Sequence, residues 1–90
     1  MERSEERGNQ QNHGVSFEEA QSVFLDEDAV QFYDDVHSDD EDRYIMVGLS
    51  SHLRLLLVVH TFREEDGLIR IISARKPTTK ERRVYLERRQ

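Results

Sequence analysis

"RLLLVVHTFREEDGLIRIISARKP" (Arg54–Pro77) decides how this 90-residue chain folds. Two apolar runs flank Glu64-Glu65-Asp66-Gly67, a connection of hairpin length with glycine where a positive φ is often needed. Leu53 to Arg63 and Leu68 to Arg75 are therefore predicted to be antiparallel strands. The run Leu55-Leu56-Leu57-Val58-Val59 is apolar on both faces, so both faces of that strand should be covered. Pro77, the sole proline, ends the second strand. Strict alternation predicts Ile69, Ile71, Ser73 and Arg75 on one face, with Leu68, Arg70, Ile72 and Ala74 on the other.

Working outward, Arg43 to Leu49 reads as a preceding strand, joined through a turn at Ser50-Ser51-His52. Ala29 to Tyr33 is short and apolar, and suits either a strand or a turn of helix. Asp34 to Asp42 is a loop dense in acids. Ser16-Phe17-Glu18-Glu19 has the capping-box pattern, and predicts a helix to about Leu25. Phe17, Ala20, Val23 and Phe24 share one face of that helix and should pack on the sheet. Residues 1–12 lack apolar anchors and are expected to be frayed or disordered. Thr78-Thr79-Lys80-Glu81 is a second capping box, opening a last helix through Leu86 that Val84, Leu86 and Tyr85 hold on the domain. The expectation is one α+β domain spanning residues 1–90. Its small antiparallel sheet is a three-strand meander with an optional fourth short strand. Two N-terminal helices and one C-terminal helix pack on it.

The chain has no cysteine, which excludes disulfides and thiolate metal sites and suits a reducing compartment. The longest apolar run, Leu55 to Val59, is too short to span a bilayer. MERSEERGNQ lacks the apolar core of a signal peptide, so a cytoplasmic protein is expected. The net charge of -6 hides an asymmetry. Residues 1–42 hold 14 acids and 2 bases, while residues 43–90 hold 5 acids and 11 bases. An acidic surface on one side and an anion-binding surface on the other follow, unless the two faces simply attract each other.

The cations concentrate around the end of the last strand. Arg54, Arg70 and Arg75 lie among apolar strand residues, beside Lys76, Lys80, Arg82 and Arg83. Guanidinium groups bind phosphate bidentately, and the first turn of the last helix adds free N–H groups. Such a site suits RNA phosphates, or the extra charge on a scissile phosphate attacked by its neighbouring 2′-hydroxyl. Tyr85 is a candidate proton donor or stacking partner. The histidines His13, His37, His52 and His60 follow no diagnostic spacing, and a turn histidine such as His52 reads as solvated. Asp34, Asp35, His37, Asp39 and Asp40 match no ligand spacing, so no metal or other cofactor is expected.

Three stretches carry a resemblance: "HGVSFEEA" (His13–Ala20), "HSDDEDR" (His37–Arg43) and "IRIISARK…KER..Y" (Ile69–Lys76, Lys80–Arg82, Tyr85). In order and spacing they are similar to the BrnT family of type II toxin–antitoxin toxins. The resemblance implies a fold like that of RelE-type toxins, with metal-independent endoribonuclease activity that cleaves RNA and blocks translation in a bacterial cell. It implies a BrnA-type antitoxin as partner, a ribbon-helix-helix DNA-binding protein through which alone operator DNA is contacted. Carried over by residue, it assigns catalytic roles to Arg75, Tyr85, Arg70, Arg54 and His13. It leaves Lys76, Lys80, Arg82 and Arg83 to bind RNA phosphates. MERSEERGN replaces the family's opening strand, so the alternative is a weakened or inactive module that only complexes an antitoxin.

Overall fold

The computed structural model describes residues 14–36, 41–63 and 65–89. They form helix α1 (Phe17–Ser22), a 3-10 turn (Val23–Leu25), strands β1 (Val30–Tyr33), β2 (Arg43–Leu49), β3 (Leu55–Arg63) and β4 (Leu68–Arg75), and helix α2 (Thr79–Arg89). The four strands make one antiparallel sheet in the order β1-β2-β3-β4. The ambiguous segment near Val30 is thus an edge strand, pairing Val30 with Val47 and Tyr33 with Tyr44. Of the two N-terminal helices expected, the described residues contain one, extended by the 3-10 turn, and the other falls on residues 1–12, outside the described residues. Residues 1–12 and His13 lie outside the described residues, as do His37, Asp39 and Asp40.

Both caps form. The Ser16 hydroxyl accepts from the Glu19 backbone N–H at 3.0 Å. At α2 the box is reciprocal, with Thr78 Oγ1 accepting from the Glu81 N–H and Glu81 Oε1 from the Thr78 N–H, at 3.2 and 2.8 Å. That helix runs three residues beyond the expected Leu86, because nothing after Pro77 interrupts it.

Each face of the sheet has its own cluster. Phe17, Ala20 and Val23 pack with Val15 against Leu56, Val58, Ile71 and Ala74. On the opposite face Tyr85 packs with Val47 and Leu57. The double coverage expected of β3 is therefore met, by α1 on one side and α2 on the other. The attachment of α2 differs from expectation. Val84 and Leu86 are exposed, and Tyr85, only 1% exposed, is the residue that docks the helix.

The register of β3 with β4 breaks alternation. Val59 pairs with Ser73 but His60 with Ile71, so Ile72 is an extra residue in a β-bulge. Partners across a ladder share a face. Arg70 pairs with Thr61 and Arg75 with Leu57, which puts both arginines on the α2 face. Ile71 and Ala74 both belong to the α1 face. The predicted assignment of Ile71 and Arg75 to one face, opposite Arg70, is corrected by this single inserted residue.

Gly48 lets β2 approach α1 closely. A Cβ there would lie 2.8 Å from Val23 Cγ1 and 3.0 Å from the Ala29 Cβ. Gly48→Ala is expected to lower stability by about 2 kcal/mol through overpacking. A urea midpoint equal to that of the parent would show that the neighbours give way freely.

Candidate functional site: a cation-lined groove at one end of the sheet

The turn between β2 and β3 builds one wall of the site. Ser50 N–H donates to the Arg54 carbonyl and Leu53 N–H to the Ser50 carbonyl, both at 2.9 Å. Leu53 closes this turn with φ of 60°, a left-handed conformation that a leucine adopts only under strain. Arg54 therefore sits just before β3 rather than within it.

Glu19 gathers this turn. Its carboxylate is buried, with the residue 4% exposed. Arg54 donates through Nε to Oε2 at 2.7 Å and through Nη2 to Oε1 at 2.6 Å. Ser50 Oγ donates to Oε2 at 2.7 Å, and His52 Nδ1 lies 3.2 Å from Oε1. Arg54 Nη2 also reaches the Gly14 carbonyl at 3.1 Å. A buried carboxylate needs such partners, since an unpaired one costs several kcal/mol. The Arg54 guanidinium, helped by the Ser50 hydroxyl, holds Glu19 down at about 2 against the cost of burial.

The other wall comes from α2, fixed by two tethers one helical turn apart. Arg75 grips Glu81 bidentately, Nη1 to Oε1 at 2.9 Å and Nη2 to Oε2 at 3.1 Å. That pairing, aided by the Thr78 N–H, lowers Glu81 to about 2. Tyr85 donates its hydroxyl to Asp26 Oδ2 at 2.7 Å. The same oxygen accepts from the Leu49 N–H at 2.8 Å, while Asp26 Oδ1 caps the Asp28 N–H at 2.9 Å. One carboxylate thus joins the end of α1, strand β2 and helix α2.

Between the walls lies a groove of about 490 Å³. Arg54, Lys76 and Arg82 supply its cations, and Leu49, Leu55, Pro77 and Leu86 much of its apolar lining, with Tyr85 beneath. The candidate residues divide accordingly. Arg54, Lys76, Arg82 and Tyr85 meet at the groove. Arg75 stands behind it, its fork taken by Glu81. Arg70 pairs with Glu41 at 2.5 Å elsewhere on the surface. Lys80 and Arg83 are exposed on α2 outside the groove lining. His13 lies outside the described residues.

Three residues were missed by sequence reasoning. Glu19 was read only as the third residue of a cap and His52 only as solvated, while Asp26 was not singled out. The pattern that marked Glu19 is local, whereas its partners are more than thirty positions away in the chain. His60 takes a different role. It is buried against Phe24 and Tyr44, with ring centroids 4.8 and 6.0 Å away, and burial pushes its imidazole down. Among the described residues no cluster of His, Asp and Glu could hold a metal ion, and no helix is long and apolar enough to cross a membrane.

The two depressed carboxylates set a pH dependence. Each has a folded value of about 2 against 4.5 when unperturbed. Their stabilisation is fully present above pH 4.5 and is lost as pH falls toward 2. For Glu19 the loss is on the order of 3 kcal/mol, and less for the more exposed Glu81, whose pair solvent screens. Urea midpoints should be level above pH 5 and fall steeply below it, with a shallower fall in Glu19→Gln. Equal slopes in the two proteins would remove Glu19 as a cause.

No curated protein matches this chain. The family model described as "Ribonuclease toxin, BrnT, of type II toxin-antitoxin system" matches residues 3–81. That span includes the strands, the Glu19–Arg54 wall and the Arg75–Glu81 tether, and the chain belongs to this family of ribonuclease toxins.

Proposed function

We propose that the groove between Arg54 and α2 binds the RNA that this toxin cleaves, and that cleavage blocks translation in the cytoplasm. The observation carrying this reading is the convergence of Arg54, Lys76 and Arg82 on one groove with an apolar floor. Cations suit the phosphates, while apolar walls suit the sugar and base faces of a single strand. In this reading the fold is RelE-like. Arg75 and Tyr85 act by holding α2, and with it Arg82, in place. Lys80 and Arg83 add phosphate contacts along the approach, Arg70 contributes outside the groove, and a catalytic part for His13 rests on the family resemblance alone. A BrnA-type antitoxin of the ribbon-helix-helix class neutralises the toxin by covering the groove cations with an acidic segment. It also carries the complex to operator DNA.

Lys76→Ala/Arg82→Ala tests the groove. Removing two phosphate contacts should weaken RNA affinity at least ~10-fold and reduce the slope of log K against log salt by about 2. Unchanged affinity and slope would place the RNA elsewhere. Co-expression with the neighbouring open reading frame tests the partner. Growth arrest without it and rescue with it is the expected result, and a stable complex without any arrest would favour a binding module lacking catalysis.

A further inference from the structure

We infer that His52 is the general base of the cleavage reaction, with Glu19 as its positioning residue. This rests on the ribonuclease reading of the groove and names a residue that reading does not use. The side chain of His52 is 65% exposed, yet its Nδ1 lies 3.2 Å from Glu19 Oε1, inside a carboxylate whose own side chain is 3% exposed. A carboxylate at Nδ1 makes that nitrogen the donor and leaves the lone pair on Nε2, the arrangement by which an acid orients an imidazole for proton abstraction. Glu19 is itself rigid, since Arg54 and Ser50 hold both of its oxygens. The His52 N–H further donates to Ser50 Oγ at 3.2 Å, so backbone and ring are anchored to the same cluster.

The position of this imidazole matters as much as its tautomer. His52 Nδ1 and Arg54 Nη2 share one carboxylate oxygen, so the ring neighbours the guanidinium that forms a wall of the groove. His52 stands just outside the groove lining on the Arg54 side, so in this proposal a phosphate against Lys76 and Arg82 presents its 2′-hydroxyl toward that side. Nε2 takes the proton of the 2′-hydroxyl. The 2′-oxygen forms a bond to the adjacent phosphorus, and the bond from phosphorus to the 5′-oxygen breaks. The leaving oxygen takes a proton from water, and His52 returns its proton to solvent. The products are a 2′,3′-cyclic phosphate and a 5′-hydroxyl end, with no metal or redox partner consumed. The charged groups facing His52 are Glu19 from α1 and Arg54 from the turn.

His52→Asn tests this, because its amide can still donate to Glu19 while lacking a basic nitrogen. The full-length protein is mixed with messenger RNA in a cell-free translation lysate, which holds free and ribosome-bound RNA, and cleavage rates are followed against pH. The expected result is a fall of about 10²-fold or more in the variant, with unchanged RNA affinity and loss of the pH limb that reports deprotonation of the base. Ring-nitrogen NMR shifts of His52 in the parent should report a proton on Nδ1 in the neutral form. An unchanged rate and pH profile in His52→Asn, or a proton on Nε2, would overturn the assignment while leaving the groove reading intact. A parent protein that leaves all RNA whole would remove both.

Discussion

Asp26→Ala should destabilise the protein by about 3 kcal/mol, the cost of breaking a multiply bonded carboxylate at a junction of elements. Asp26 accepts from the Leu49 N–H and from the Tyr85 hydroxyl through one oxygen. Its removal takes that acceptor from both donors. Tyr85 is 1% exposed, so water cannot replace the partner without disturbing the packing of α2 on Val47 and Leu57. Tyr85→Phe keeps the ring and removes only the hydroxyl, and should cost about 1 kcal/mol. Denaturant midpoints of the two single variants and the double variant close a cycle. A coupling near zero would show that the Tyr85–Asp26 bond adds nothing to the hold on α2, leaving ring packing and the Arg75–Glu81 tether.

The second large effect is expected for Glu19→Ala, which should also cost about 3 kcal/mol. The substitution leaves Ser50 and Arg54 without their carboxylate. Arg54 is partly exposed and can recover water, so the loss is less than for a fully buried pair. The consequence for the groove is distinct from that for stability. Arg54 is freed to swing away from its wall, so RNA affinity should fall together with stability. In Arg54→Lys the charge remains but the fork is lost, and a lysine cannot span both oxygens of Glu19. A Glu19→Ala protein as stable as the parent would mean that the turn holds itself through its backbone bonds.

These two carboxylates show where sequence reading succeeds and where it stops. The strands β2 and β4 begin and end where apolar runs meet turn residues, and the two caps were visible as serine or threonine with glutamate three residues on. Such features are local: they depend on hydrogen bonds and periodicity within a few residues. Val30 to Tyr33 stayed ambiguous because four residues carry too little periodicity to separate strand from helix. Only its pairing with β2 decides the matter.

The cationic site was legible as a concentration of charge, and its membership was not. Arg75 stands among the arginines that the sequence offers as anion ligands, yet Glu81, six residues on, fills its fork. The geometry that permits this is the turn at Pro77, which brings the first turn of α2 back over the strand end. Arg54 and Glu19 lie 35 positions apart, and Asp26 and Tyr85 lie 59 apart. No spacing rule links such residues.

What the sequence by itself determined is the three-strand meander of β2 to β4 with its capped flanking helices, the two-sided cover of β3 and the imbalance of charge between the halves. What only the tertiary structure decided is which cation remains available to a ligand and which is already paired. The bulge at Ile72 moved Arg75 to the α2 face, and α2 then delivered Glu81 to it. The physical reason is one of range. Periodicity and capping act over a few residues and can be read along the chain, whereas a charge finds its partner only after folding brings distant segments within hydrogen-bond reach.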